Sequence, residues 1–361
     1  MVSEARPGEV APPSSAGTAY DAATSAVARA VGAGETPGAV LAAGWGDETE
    51  LLWAYGWAQT GACGRPMTTG TVFDLASLTK VVGTLPVVLH LLADGWISLE
   101  SRVAELLPGF STGAEERARV TVEHLLTHTS GLPAHREYWR LGLEPAELAR
   151  QLLEEPLVAP PGSQVVYSDI GFIVLGWVAE AVTGRPLDAL VTDWVVVPLG
   201  LARTGYAPAP GDDVAATEPG PDGSCRTGVV HDETAAALAV PVGHAGLFST
   251  AGDLAAYLGG WVSSGDGWLP QHWRQEAVRD RTASLGGHRG LGWVARGDAF
   301  DRLGRGWPST AVSHTGFTGT SLALDPPSGR WVVFLTNDVH FGRDRGTITP
   351  LRLAVHEALA P

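Results

Sequence analysis

Two apolar runs stand close together near the start of this chain, "PGAVLAAGWGD" (37–47) and "ELLWAYGWAQTG" (50–61), with Gly-Asp-Glu-Thr between them. They read as the arms of a β-hairpin. A lone hairpin of this apolarity leaves a face wet and is at best marginal. The next strand-like runs come only after residue 290: "GLGWVAR", "AVSHTGF", "TSLALDP" and "WVVFLTND". The early pair must therefore join strands from the far end of the chain. The expected fold is α/β (α+β): an antiparallel sheet built from both chain ends, flanked by terminal helices (18–33 and 349–360), with a mostly helical second lobe inserted. The boundaries follow as a disordered lead over 1–16, a sheet lobe over 17–95 and 235–361, and a helical lobe over 96–234. A cleft between the lobes is the natural place for a site.

Ser77–Ala93 reads as a helix, with Leu78, Val81, Val82, Leu85, Val88, Leu89 and Leu92 on the helical period and Asp94-Gly95 closing it. A second helix is expected from Asp169 to Thr183 after a proline-rich loop, and another after residue 249 with Ser249 or Thr250 as N-cap. Residues 207–235, rich in Pro, Gly and Asp, read as a long loop. No apolar stretch is expected to reach the ~18–20 residues that span a bilayer.

Among 24 basic residues Lys80 is the only lysine; the other 23 are arginines. It follows Ser77 by three positions, which on a helix puts both on one face. Ser77 falls at the expected helix start, where a backbone N–H is unpaired and the dipole favours a developing negative charge. A serine hydroxyl needs a base to become a nucleophile, and a lysine can serve only if its amine loses the proton. Arginine stays protonated and cannot substitute. Two further stretches offer company: Tyr167-Ser168-Asp169 at the start of a helix, and His314-Thr315-Gly316 on a strand, where Gly316 and Gly319 permit close approach to the backbone.

Ser77-x-x-Lys80, Tyr167-Ser168-Asp169 and His314-Thr315-Gly316, in that order, resemble the serine β-lactamase and penicillin-binding-protein superfamily. The resemblance is to the class C β-lactamase-like branch, which holds D-Ala-D-Ala carboxypeptidases, esterases and transacylases. "HLLTHTSGLP" (124–133) and "GHAGLFSTAGDLAAY" (243–257) look like the same branch, and the likeness covers about 20–355. It implies that Ser77 forms an acyl-enzyme and that Lys80 and Tyr167 share the proton traffic. It further implies that His314 and Thr315 line the sheet side of the cleft, and that the N–H groups of Ser77 and Phe317 form the oxyanion hole. Two positions depart from the pattern. Asp169 stands where the branch often has asparagine, and its carboxylate would favour the ammonium form of Lys80, shifting the base role toward Tyr167. His314 stands where lysine is common, which removes a fixed positive charge and makes a β-lactam-like carboxylate substrate less expected.

Other signals carry less. Gly109-Phe110-Ser111-Thr112-Gly113 matches G-x-S-x-G but follows a helix and Pro108 rather than a strand, and reads as a surface loop. His124 and His128, four apart without an intervening catalytic glutamate, read as packing and capping residues. For His231-Asp232-Glu233, lining the cleft and simple solvation both stay open; for Trp139, so do a substrate wall and core packing. The net charge of −15 argues against nucleic acid and anionic membrane as partners. Cys63 and Cys225 are expected as free thiols rather than a disulfide, and no metal or cofactor is expected.

The expected function is serine-dependent acyl transfer on small-molecule esters or amides. The acceptor is water in a hydrolase, or an amine or alcohol in an intracellular biosynthetic transacylase. The alternative is a catalytically inactive ligand-binding module of the same fold. The first residues have no basic start and apolar run, so a cytoplasmic location is expected. Scarce lysine with abundant Ala, Gly and Arg suggests a GC-rich bacterial genome and, by association, antibiotic biosynthesis.

Overall fold

The computed structural model describes residues 19–61, 64–110, 115–220, 224–343 and 345–361. The expected lead over 1–16, Cys63 and Ser111 lie outside them, and with Cys63 the question of its pairing; Cys225 is an exposed free thiol. Among the described residues the strands are β1 (Gly38–Trp45), β2 (Glu48–Gln59), β3 (Arg65–Pro66), β4 (Phe73–Asp74), β5 (Phe248–Ser249), β6 (Val294–Ala295), β7 (Val312–Thr315), β8 (Ser321–Asp325) and β9 (Arg330–Thr336). Seven form one sheet in the order β3-β2-β1-β9-β8-β7-β6, all pairs antiparallel, and β4 pairs with β5 separately. The first hairpin therefore meets the last strand: Leu41 lies between Trp53 of β2 and Phe334 of β9.

The sheet is covered on both faces, which explains why its strands are apolar throughout rather than alternating. Ala39, Leu41 and Ala43 of β1, with Val332 and Phe334 of β9, face the terminal helices Ala19–Gly32 and Ile348–Ala358. Val40, Ala42, Trp331, Val333 and Leu335 face the opposite way, into the main core with the helix Ala251–Val262. That helix starts where the sequence places it: the Thr250 hydroxyl accepts the Asp253 N–H at 3.2 Å.

The helix expected over Ser77–Ala93 is present but not uniform. Ala76–Leu78 is a 3-10 turn, Lys80–Thr84 a π-helical turn, and Leu85–Ala93 a regular α-helix. Pro86 has no N–H to offer the Val82 carbonyl. The preceding turn widens instead, and the Leu85 N–H donates to the Lys80 carbonyl five residues back. The 18-residue window Ala76–Ala93 does have the length and apolarity to cross a bilayer, contrary to expectation, and 83% of it is buried inside the protein. It is apolar all round because it is packed all round.

Candidate active site

The segment that carries Ser77 begins with a strained residue. Ala76 has φ +46°, in the left-handed region that costs any residue with a Cβ. It is held there by the Asp74 carboxylate, whose Oδ1 accepts its N–H at 2.8 Å. Ser77 follows, half-buried, and turns its side chain toward Lys80, whose Nζ lies 3.0 Å from Ser77 Oγ. The same amine donates to Asp169 Oδ1 at 2.7 Å and to the His244 carbonyl at 3.1 Å. Its three donors are thus all engaged, and its side chain has no exposed surface.

Burial alone would lower the pKa of Lys80. The Asp169 carboxylate, and after it the Tyr167 phenol, outweigh burial and hold the pKa above the ordinary 10.5. The amine rests as an ammonium and donates to Ser77, rather than waiting as the free base that the lone-lysine argument anticipates. Its charge also lies 5.0 Å from the centre of the Tyr167 ring.

Tyr167 is set by its neighbours in the chain. The loop before the helix Asp169–Thr183 docks on His128 at two backbone points. The Val166 N–H reaches the His128 carbonyl at 2.8 Å, and the Ser168 N–H reaches Nδ1 at 3.0 Å. The His128 ring lies 4.7 Å from the ring of Tyr167. On the other sides of Tyr167 stand Phe300 (5.7 Å), the Arg289 guanidinium (5.7 Å) and His314 (6.1 Å). Arg289 is buried and paired with Asp298 at 2.9 Å. Burial, with Arg289 and Lys80 nearby, pushes the pKa of both His128 and His314 well below 6.5, so both rings are neutral at pH 7. His314 Nδ1 lies 3.0 Å from the Thr315 carbonyl, so that nitrogen carries the proton and Nε2 is bare.

The end of β7 closes the site from the sheet side. A Cβ on Gly316 would fall 2.4 Å from the Leu75 carbonyl oxygen, so only glycine lets the strand end approach the Ser77 segment this closely. The Thr318 hydroxyl donates to the Asp74 carbonyl at 2.7 Å and that of Thr320 to the Leu75 carbonyl at 3.2 Å, tying the two segments together. Among the described residues the backbone N–H groups of Ser77 and Phe317 have no acceptor.

Ser77, Tyr167 and Phe317 stand at the waist of a two-chambered cleft. One chamber, of about 310 Å³, is lined by Trp139, Asp169, His231, Asp232, Glu233 and Arg343. Both open questions about the 231–233 segment and Trp139 thus resolve toward the cleft. Asp232 also caps the helix Glu233–Leu238, which ends the expected loop earlier than its composition suggests. The second chamber, of about 520 Å³, holds His314, Thr315 and Gly316 with Arg289, Arg302, Arg345, Arg352 and Asp338. Apart from Arg289, none of these arginines forms an ion pair with a carboxylate among the described residues. A cationic chamber stands out in a chain of net charge −15.

All eight residues singled out from the sequence lie at this cleft or in contact with it. The sequence reading missed Asp74, Arg289 and the chamber arginines, and it gave His128 only a packing role. His124 is a capping residue: it completes a reciprocal cap with Thr121. No group of three or more His, Cys, Asp or Glu that could hold a metal is present among the described residues.

A serine bonded to a cation, two backbone N–H groups without an acceptor and a tyrosine lining the same cleft are groups that acyl transfer through a serine ester would use. The profile of the Beta-lactamase family matches residues 23–357, and the chain belongs to that family. It is thus a β-lactamase-like serine hydrolase or acyltransferase. A protein of Escherichia coli (strain K12) named "Putative D-alanyl-D-alanine carboxypeptidase" is 34% identical over 310 residues, 76% of this chain and 70% of that protein. The structure titled "EstCE1, a hydrolase with promiscuous acyltransferase activity" is 25% identical, with TM-score 0.77 over 94% of this chain and 98% of its own. The LovD6 mutant of simvastatin synthase (LovD) from Aspergillus terreus shares the fold, with TM-score 0.75 and 22% identity over 95% of this chain and 98% of its own.

Proposed function

We propose that the chain transfers acyl groups from small-molecule esters or amides through an ester on Ser77. The observation that carries this reading is the 3.0 Å contact of Lys80 Nζ with Ser77 Oγ beside two unbonded backbone N–H groups. Ser77 Oγ attacks the donor carbonyl and passes its proton to the Tyr167 oxygen, which acts as the phenolate in this step and becomes the phenol. The Lys80 ammonium orients Oγ, 3.0 Å away, and lies 5.0 Å from the centre of the Tyr167 ring. The carbonyl oxygen gains negative charge, which the N–H groups of Ser77 and Phe317 stabilise; each such donor is typically worth roughly 3–4 kcal/mol. Tyr167 then returns the proton to the departing alcohol or amine. In the second half the acceptor, water or an amine or alcohol, gives its proton to Tyr167 and its oxygen or nitrogen to the acyl carbon. Ser77 leaves with the proton restored. Neutral His314, itself buried, and the Thr315 strand end line the sheet side of the cleft in which the donor would lie.

The arginine chamber supports a donor that carries an anionic group on the His314 side. It argues against the expectation drawn from the missing lysine at position 314, because Arg302, Arg345 and Arg352 line the chamber from other segments. The name of the Escherichia coli relative is consistent with a carboxylate-bearing peptide, and that of EstCE1 with water and other acceptors both being used.

The test is covalent labelling. A fluorophosphonate should add to Ser77, identified by peptide mass, and Ser77→Ala should abolish both the adduct and ester turnover. Esters bearing a distal carboxylate should show a lower KM than their neutral counterparts. Adding an amine should divert product from acid to amide if acceptors other than water are used. No adduct and no turnover would leave a ligand-binding module instead.

A further inference from the structure

Asp74 does more than its place on a two-residue strand requires. It is 3% exposed and lies three positions before Ser77. Oδ1 accepts the Ala76 N–H at 2.8 Å, Oδ2 accepts the His231 N–H at 2.6 Å, and its own carbonyl accepts the Thr318 hydroxyl at 2.7 Å. Ala76 immediately precedes Ser77, and Thr318 immediately follows Phe317. One residue is therefore bonded to the chain neighbour of each of these two N–H groups, which have no acceptor among the described residues. Its third contact reaches Phe317 from above: the His231 ring lies 5.8 Å from the Phe317 ring, at 22°.

Two costly features are concentrated here. Asp74 is a buried carboxylate with no lysine or arginine ion pair among the described residues, and Ala76 carries a positive φ. Either is expensive on its own, and such strain persists only where its surroundings over-determine it. A carboxylate presents two acceptor oxygens at fixed separation and no donor. An asparagine has one acceptor, and its amide would face the other N–H donor to donor. The pair of bonds to Ala76 and His231 thus demands an aspartate.

We infer that Asp74 is a positioning residue of the oxyanion hole, fixing the Ser77 and Phe317 N–H groups at one spacing; this rests on the Ser77 reading above. It acts through Ala76, His231 and Thr318 and touches no substrate.

The experiment compares wild type, Asp74→Asn and Thr318→Val. It measures steady-state hydrolysis of a p-nitrophenyl ester, the rate of fluorophosphonate addition to Ser77, and the urea midpoint. Misplacing one donor predicts a fall in kcat of about 10–100-fold in Asp74→Asn with KM within about threefold. Labelling should slow by the same factor, since the phosphonyl oxygen uses the same donors. Thr318→Val, which keeps the carboxylate and cuts one tie, should lose about 3–10-fold in kcat by the same logic. Variants that label and turn over at the wild-type rate overturn the inference, whatever their midpoints. So does a loss confined to KM. If Asp74→Asn fails to fold, Thr318→Val decides: kcat within twofold of wild type refutes the role. Absence of labelling in the wild type sinks the serine assignment and this inference with it, whereas a labelled wild type with unaffected variants sinks the inference alone.

Discussion

Asp169→Asn isolates the question of which group carries the proton. Asp169 Oδ1 lies 2.7 Å from Lys80 Nζ, and the lysine side chain has no exposed surface. The carboxylate is the leading influence opposing burial, which on its own lowers the pKa of Lys80. An opposite charge at this range shifts a neighbour by about 1–3 pKa units, or about 1.4–4 kcal/mol between the two protonation states. Asparagine keeps the shape and an acceptor oxygen but removes the charge. With the charge gone, burial, which lowers the pKa, is the largest influence left on Lys80, and its pKa should fall.

The sign of the effect on rate separates the two mechanisms. If the ammonium is the working form, the variant behaves like wild type near pH 7 and loses activity at a lower pH than wild type does, as its lysine deprotonates. If the neutral amine is the base, the variant gains activity over the same titration. The assay is kcat/KM for a chromogenic ester from pH 6 to 10, wild type against variant, with fluorophosphonate addition as a second measure of acylation. Superimposable profiles would refute the claim that Asp169 sets the charge on Lys80. A rate that climbs through the lysine titration would refute Tyr167 as the base. Stability carries a matching sign. A raised lysine pKa stabilises the fold below the unfolded value and is lost above the folded one, so the variant should be the less stable protein at pH 7 by about 1.4–4 kcal/mol in urea unfolding.

Lys80→Arg should lower kcat/KM by at least about 100-fold although charge is kept, because a planar guanidinium cannot serve Ser77 Oγ, Asp169 Oδ1 and the His244 carbonyl from one buried point; near-normal turnover would show that charge alone suffices. Burial, with Arg352 beside it, takes His356 from 6.5 down to about 3 in the folded chain. The unfolded chain therefore binds the extra proton below about pH 6.5, and this histidine costs about 1.4 kcal/mol of stability per pH unit as the pH falls from there toward 3. His356→Gln should reduce the loss in urea stability between pH 7 and pH 5 by about 2 kcal/mol; an unchanged loss would mean that the imidazole is not neutral in the fold.

What the sequence reveals of this protein is what local pattern controls. The β1–β2 hairpin, the strand runs after residue 290 and the helix Asp169–Thr183 are legible because buried faces impose a period on their apolar residues. Ser77, Lys80, Tyr167 and His314 are legible because each sits in a short run of recognisable chemistry. The helix Gln271–Val278 carries no such period: its two buried residues are Arg274 and Ala277, and the arginine is satisfied by the backbone carbonyls of Leu269, Gly260, Trp261 and Ser263 in the preceding turn, a folding-back that apolar periodicity does not report. The break of Ala76–Ala93 into three kinds of turn depends on Pro86 and on packing, which a hydrophobic period does not report. Asp74, His128 and Arg289 were missed for a related reason. Each acts on a residue 3, 39 or 122 positions away, and only the tertiary fold brings Arg289 to Tyr167 or Asp74 to His231.

Lys80 is the sole side-chain amine in 361 residues, and it is sealed from solvent. Amine-directed reagents therefore meet a native surface on which no lysine can react, and carbodiimide or succinimidyl coupling through lysine would succeed only on chains that have opened. Modification of that one position is a ready-made gauge of unfolding, read by mass as a single increment on a single peptide.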